Sequence, residues 1–433
     1  MADSSAAATA PVTRVAVLGT GYVGLTVGVC LSQLGHSVIC ADIDASRVER
    51  LGRGEVPFVE PGLESLVCEA LQRGAVRFVL GVAGAVADAE FVFICVATPR
   101  GEDGAADLTA LRSCVVEVGP LLAPGAIVVT KSTVPIGTSS VVSGWLDRDD
   151  VAVVSNPEFL REGSAVHDFL HPDRIVLGSE NRAAARRVRQ LYDGIDAPTV
   201  ITDSRTAEMI KYTANAFLAT RLSFINEVST ICDALGADID GLVAGLGSDH
   251  RIGLEFLSPG PGWGGSCLPK DTRALLHMAA SAGLRFELLE QVIASNERQI
   301  DSVVRKITVA VGGVLRGSVV AVLGLAFKAH TDDVRDSPAI IIIGRLAAAG
   351  ATVRAYDPAV RESNGAHHLA GTSYEAAEGA DAVVVLTEWP EFVDLDLEKL
   401  AAMMRGRAVV DARNMLDKAS YTEAGYQYVG LGR

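Results

Sequence analysis

Hydrophobic and polar positions divide the chain into three textures. In the first, short apolar runs end in glycine or in polar turns. VTRVAVLG reads as a buried strand closed by Gly19, YVGLTVGVCLSQLG as a helix closed by Gly35, and HSVICADID as a second strand. AEFVFICVATP, GAIVVTKST and VAVVSNPEF repeat the apolar strand with a polar end. Strands of this kind, alternating with helical segments, predict a mostly parallel sheet covered on both faces. From Arg205 the texture changes. Thr206 to Gly236 contains no proline, has apolar positions at helical spacing, and predicts one long helix ended by Gly236. Helical patterns continue through TRALLHMAASAGL and LLEQVIASNERQIDSVVRKI. After Gly317 the first texture returns in SVVAVLGLAF, SPAIIIIGRLAAAG, ATVRAYDP, DAVVVLTEW and AVVDARN. The expected fold class is α/β, with two doubly wound domains joined by a long central helix.

Length and charge narrow this picture. With 433 residues the chain is long enough for two or three domains, and 49% hydrophobic against 21% charged residues is a globular composition. A net charge of -15 argues against nucleic acid as the main partner, because phosphate-backbone binding needs a basic surface. An anionic small ligand stays open, since local groups can hold it against the global field. The seven cysteines are odd in number and form no C-x-x-C pair, which suggests reduced thiols in the cytoplasm. No cysteine–histidine cluster has zinc spacing, so no metal is expected. Between Arg14 and Asp42 no residue is formally charged, which resembles a membrane span. Gly19, Gly21, Gly24, Gly28 and Gly35 divide that stretch into strand, turn and helix instead; a membrane anchor stays as a minor alternative that cell fractionation decides. The opening MADSSAAATAP lacks a basic start and reads as a disordered tail over residues 1–12.

The chemistry begins with GTGYVG. Gly19, Gly21 and Gly24 form G-x-G-x-x-G after a strand and before a helix, where the backbone can approach a pyrophosphate at a helix N-terminus. Asp42, 18 residues past Gly24, ends the next strand, near the spacing of the acid that binds a ribose 2′-hydroxyl. Its carboxylate favours NAD over NADP, although Arg47 leaves a phosphate contact open. The plainer reading of Asp42 is a cap for the helix beginning near Asp44. In the second sheet only GLAFK, Gly324 to Lys328, stands at the matching strand end.

Three pairs carry candidate reactive groups. Cys267 follows Gly264, Gly265 and Ser266 and precedes Lys270 and Asp271. A helix starting there would put the thiol at its positive end, with Asp271 one turn on. The plainer reading is a buried thiol, which suits the other six cysteines better than this one. Lys211 and Asn215, at i and i+4, read equally as a buried pair able to hold an alkoxide or as a solvated stripe. Glu158 and Glu162 share that spacing and read as acid/base groups, as a paired-carboxylate glycosidase, or as surface glutamates.

Several motifs together resemble one family. GTGYVG, KSTVPIGT, NPEFLREGSAVHDFLHPDRIVLG, EMIKYTANAFLA, RIG, PGPGWGGSCLPKD, GLAFKAHTDDVRDSP and DARN occur in the order found in nucleotide-sugar dehydrogenases, and most resemble the UDP-glucose group. The resemblance implies oxidation of a primary alcohol to a carboxylate with two NAD+, through a thiohemiacetal and a thioester on Cys267. It implies that Lys211 and Asn215 stabilise the oxyanion, that Asp271 and Thr133 handle water, and that Glu162 and Glu158 are active-site acids. It implies NAD contacts from Gly19, Tyr22, Val23, Asp42, Arg47, Thr98, Thr133, Glu162, Lys270 and Arg335. Substrate contacts would come from Phe159, Leu160, Phe256, Gly264, Phe327, Lys328 and Arg413, with Arg251 reaching the substrate of a neighbouring subunit. It also implies a homodimer through the central helix. The expected division is 13–204 for NAD, 205–305 for the helical dimerisation region and 306–433 for a Rossmann-like UDP-sugar domain. GDP-mannose and thymidine-diphosphate sugars are competing substrates, and a non-catalytic NAD sensor is the competing class. Pro261 and Trp263 depart from the family's usual glycine-rich stretch, and KAHTDD replaces the commoner KPNTDD; Trp263 has no implied role.

Overall fold

A computed structural model describes residues 12–99, 101, 105–362 and 368–433; residues 1–11 of the expected tail lie outside them. Two compact units divide the chain, the first ending at Lys211 and the second beginning at Tyr212.

The first unit is built on eight strands: β1 (Arg14–Leu18), β2 (Ser37–Asp42), β3 (Val76–Leu80), β4 (Phe91–Ile94), β5 (Ile127–Thr130), β6 (Ala152–Ser155), β7 (Ile175–Gly178) and β8 (Thr199–Thr202). Their order is β3-β2-β1-β4-β5-β6-β7-β8. The first six are parallel, with Leu18 beside both Ala41 and Ile94. β7 pairs antiparallel with β6, Ser155 facing Gly178, so β7 and β8 run the other way. Burial explains why these strands read as continuous apolar runs. Val15 and Val17 enter one core cluster while Ala16 and Leu18 enter the other, so both faces of β1 are covered. The uncharged stretch Arg14–Asp42 forms β1, the helix Tyr22–Gln33 and β2. Among the described residues no helix is long and apolar enough to cross a membrane.

The predicted long helix is continuous from Ser204 to Leu235. Beyond it the second unit contains the helices Ile239–Gly247, Leu268–Ser281 and Glu287–Ala310. Tyr212, Ala216, Ala219, Trp263, Ala274, Leu275, Leu289 and Val292 pack into one helical core. Six parallel strands follow: β9 (Val319–Leu323), β10 (Thr352–Tyr356), β11 (His368–Leu369), β12 (Ala382–Val385), β13 (Ala408–Asp411) and β14 (Gln427–Val429). Their order, β11-β10-β9-β12-β13-β14, repeats that of the first six strands of the first unit. Each sheet therefore reverses its winding between its first and fourth strands, where doubly wound sheets bind ligands at the carboxyl ends.

Both switch points begin with a left-handed glycine, Gly19 at φ 93° and Gly324 at φ 98°. At Gly324 a Cβ would lie 2.3 Å from the Thr387 Cβ, so sterics and backbone both demand glycine. Gly324→Ala is expected to destabilise the second unit by about 2–4 kcal/mol in urea denaturation. A loss below about 1 kcal/mol would show that the turn tolerates the side chain.

Candidate active site

The first unit supplies a dinucleotide cradle. A Cβ on Gly24 would stand 1.9 Å from the Gly19 carbonyl oxygen, so the helix packs directly on the turn. Among the described residues nothing lies within 4 Å of a Cβ on Gly21, the N-cap of helix Tyr22–Gln33, which leaves its open side to a ligand. This geometry fits a pyrophosphate on the free amides of a helix N-terminus. Val23 lies in the same first turn. Asp42 closes the cradle: its Oδ2 accepts from the Thr20 amide and hydroxyl, both at 2.7 Å, and its Oδ1 accepts from the Asp44 amide at 3.0 Å. Burial would raise this carboxyl, but those hydrogen bonds and Arg47 hold it below the ordinary range, so it is ionised at neutral pH. Arg47, the residue that left a 2′-phosphate open, binds Asp42 Oδ2 at 3.2 Å. The helix after Asp42 is capped by Asp44, which accepts from the Arg47 amide. Thr98 and Thr133 join the ends of β4 and β5 through a 2.7 Å bond from the Thr98 hydroxyl to the Thr133 carbonyl.

The loop after β6 carries the acids. Glu158 is buried, not a surface glutamate, and its Oε1 meets Lys211 Nζ at 2.9 Å. Its Oε2 accepts from the Leu160 amide at 2.7 Å. Burial alone would raise the Glu158 carboxyl; Lys211, the Leu160 amide and Lys131 outweigh it and hold it low. Two cations lie over the Phe159 ring, the Arg174 guanidinium 3.7 Å and Lys211 Nζ 5.5 Å from its centroid. Glu162 is half-buried close to Tyr22. Burial, the bond to Glu60 and the charges of Glu60 and Glu162 push the Tyr22 hydroxyl far above its usual range.

The second unit places the thiol. Cys267 is half-buried and is the N-cap of helix Leu268–Ser281, where unpaired amides favour negative charge. Its Sγ lies 3.6 Å from Ser266 Oγ. Asp271, one turn on, is fully buried and accepts from Asn215 Nδ2 and from Lys270 Nζ, each at 2.6 Å. Asn215 is therefore an interior hydrogen-bonding group, not part of a solvated stripe. Lys270, a cofactor contact by resemblance, folds onto Asp271 here. The loop before the thiol is locked from several sides. The Gly265 amide donates to the Arg335 carbonyl at 3.1 Å, and a Cβ on Gly264 would lie 2.0 Å from the Asp336 carbonyl. A Cβ on Gly265 would meet the Phe327 ring at 2.8 Å. Arg413 donates to the carbonyls of Leu386 and Phe327, at 2.8 and 2.9 Å. Lys328 Nζ lies 5.5 Å from the Phe327 ring centroid.

Arg251 is exposed, with its guanidinium forked onto Asp249 at 2.5 Å. The Arg335 guanidinium likewise binds Asp333, at 2.7 Å. Phe256 is half-buried at φ 60°, an uncommon backbone for an aromatic residue. Sequence reasoning missed three groups. Trp263, without an implied role, is a buried anchor: its indole donates to Ser223 Oγ at 2.9 Å, and its backbone exchanges two bonds with Asn296. Lys131 is buried against Asn156 Oδ1 at 3.0 Å. Its signals were a charge ending the apolar strand VVTK and its place at the head of the KSTVPIGT motif, neither of which gave it a role. Glu60, in an ordinary-looking VEPG turn, is buried beneath Tyr22.

Three domain descriptions match in order: UDP-glucose/GDP-mannose dehydrogenase family, NAD binding domain, over residues 13–196; central domain over 205–298; and UDP binding domain over 321–418. The chain is 44% identical to a UDP-glucose 6-dehydrogenase of Rhizobium meliloti (strain 1021), covering 97% of this chain and 99% of the relative. It is 42% identical to UDP-glucose 6-dehydrogenase TuaD of Bacillus subtilis (strain 168), covering 97% and 93%. A solved UDP-glucose dehydrogenase structure from Pyrobaculum islandicum superposes with a TM-score of 0.90 at 36% identity, covering 97% of this chain and 98% of that one.

The buried lysine yields a pH prediction. Burial drives Lys131 down to about 8, with Glu158 only partly offsetting it. An unfolded lysine titrates at ~10.4. Between these values the unfolded chain binds more protons, so Lys131 adds stability as pH rises through that window. From pH 7 to 10.5, wild type is expected to gain about 3 kcal/mol over Lys131→Met in urea denaturation. A pH-independent difference would contradict this.

Proposed function

The chain belongs to the UDP-glucose/GDP-mannose dehydrogenase family, and on that premise we propose that it oxidises UDP-glucose to UDP-glucuronate in a four-electron reaction. NAD is the cofactor, and a UDP-sugar is the substrate class. The observation that carries the reading is Cys267, a thiol capping a helix in a glycine-lined loop one turn from the buried Asp271. NAD+, when bound on the Gly19–Gly24 turn with Asp42 at its ribose, supplies the hydride acceptor for each oxidation.

The residues of the chain perform the rest. Lys211 and Asn215 hold the substrate oxygen as it gains negative charge. The Cys267 thiolate adds to the aldehyde made by the first oxidation and forms a thiohemiacetal. Oxidation of that carbon leaves a thioester, so the intermediate never leaves the protein. Water then displaces the thiol, releasing the carboxylate and restoring Cys267. Asp271 and Thr133 position that water, and Glu162 takes its proton. One substrate, two NAD+ and one water thus give one sugar carboxylate, two NADH and three protons. Glu158 holds Lys211 at the substrate, while Phe159, Leu160, Phe256, Gly264, Phe327, Lys328 and Arg413 shape the nucleotide-sugar site. Lys270 and Arg335 complete the NAD contacts. The division into 13–204, 205–305 and 306–433 belongs to the same reading.

A homodimer through the central helix is also part of the proposal. Phe217, Phe224 and Ile231, seven residues apart, are 61, 55 and 54% exposed along one helix face. Such an apolar stripe suits a second copy of the chain, and the exposed Arg251, here paired with Asp249, would serve a neighbour's site by exchanging that partner for the substrate. All seven cysteines are thiols without disulfides, which supports a cytoplasmic assignment.

An NADH assay across UDP-glucose, TDP-glucose, GDP-mannose and UDP-N-acetyl sugars tests the function. UDP-glucose is expected to turn over best and to give two NADH per molecule. One NADH with free aldehyde released contradicts the mechanism, and preference for another sugar transfers the substrate assignment. Cys267→Ser is expected to lose turnover and accumulate a held intermediate; unchanged turnover rules out the nucleophile. Phe224→Glu should run as a monomer by light scattering, whereas an unaltered dimer would place the interface elsewhere.

A further inference from the structure

We propose that Glu60 is a positioning residue that ties the cofactor turn to the turn carrying Glu162, so that both are held as one piece. It rests on the dehydrogenase reading above, which gives Tyr22 to the cofactor and Glu162 to proton transfer.

Glu60 lies in the loop before helix Leu63–Gln72 and is 7% exposed. One carboxylate oxygen, Oε2, accepts from the Tyr22 hydroxyl and from the Gly163 amide, the latter at 2.6 Å. The other, Oε1, accepts from the Ala165 amide at 2.8 Å. The Gly163 amide also lies 3.0 Å from the Tyr22 hydroxyl, which closes a triangle. Phe58, two residues before Glu60, packs its ring 5.1 Å from that of Tyr22. One buried charge therefore joins the tyrosine of GTGYVG to the backbone on the far side of Glu162.

A carboxylate suits this place because both its oxygens accept. An amide of the same shape would turn an N–H2 group toward one of the donors, leaving a buried clash of donors. The proposed role differs from simple loop support. If Glu60 only held the fold, its loss would lower stability without favouring one substrate. As a tie it acts on both partners: Tyr22 shifts against the cofactor, and Glu162 shifts against the water. The nucleotide-sugar contacts borne by Phe327, Lys328 and Arg413 belong to the second unit and should be unaffected.

The test is steady-state kinetics of Glu60→Gln beside wild type. The NAD+ KM should rise about tenfold and kcat fall about tenfold, the scale of one lost charged hydrogen bond. The UDP-glucose KM should stay within about twofold. A lower melting temperature with unchanged kinetic constants, or equal rises in both KM values, would overturn the proposal. On a Tyr22→Phe background the Gln change should add less than about twofold to the NAD+ KM, because the shared hydroxyl is already gone. Multiplying effects would show that Glu60 and Tyr22 act separately and would overturn it too. If Glu60→Gln does not fold, Glu60→Asp carries the same prediction at smaller size, because it keeps the charge and withdraws it by one methylene. If wild type oxidises none of the nucleotide sugars, the dehydrogenase reading fails by itself. Direct NAD+ titration still tests the tie, with binding to the Gln variant expected about tenfold weaker and equal affinities overturning it.

Discussion

The buried carboxylate of Asp271 is the interaction on which the reactive end of the second unit depends. It has no solvent contact and receives one proton donor from the central helix, Asn215, and one from its own helix, Lys270. A buried anion without such donors would cost several kcal/mol. The first turn of helix Leu268–Ser281 is therefore fixed against the central helix, and with it the Cys267 cap. The same bond orients the Asn215 amide, so the helix that Cys267 caps and the amide proposed for the oxyanion share one anchor.

The glycine-rich loop completes that anchoring from the other side. Trp263 fills the helical core and hydrogen-bonds through both its ring and its backbone. Gln299 and Asn226 take the carbonyl and amide of Gly260, at 2.7 and 2.9 Å. Between these fixed points and the cysteine, glycines let the chain press against the Asp336 carbonyl and the Phe327 ring. The loop is closely packed because its large residue is buried and its small residues are crowded. Trp263, the departure from the usual family pattern, acts through packing and backbone support.

Much of this was legible in the chain. Strands covered on both faces announce themselves as apolar runs, and helix ends as glycines, because those patterns are set locally. The reversal of β7 and β8 was not, since strand direction depends on partners distant in sequence. The site divides along the same line. G-x-G-x-x-G, Asp42 and the odd environment of Cys267 are local signals. For Lys211, Asn215 and Glu158 the spacing left interior and surface readings open, and burial decides for the interior. Glu60 was invisible, because the two amides that define its role lie 103 and 105 residues away. Lys131 shows the same limit: the sequence gives its charge, but only the fold supplies Asn156 and Tyr192 as its neighbours.

The central claim is that Cys267 carries the substrate as a thioester between oxidation and hydrolysis. Acid-quenching the enzyme during turnover with UDP-glucose and NAD+, followed by peptide mass analysis, tests it most directly. The account predicts a UDP-glucuronyl adduct on the peptide containing Cys267, released by hydroxylamine. A quenched enzyme turning over at full rate with no adduct, or with the adduct on another residue, would contradict it.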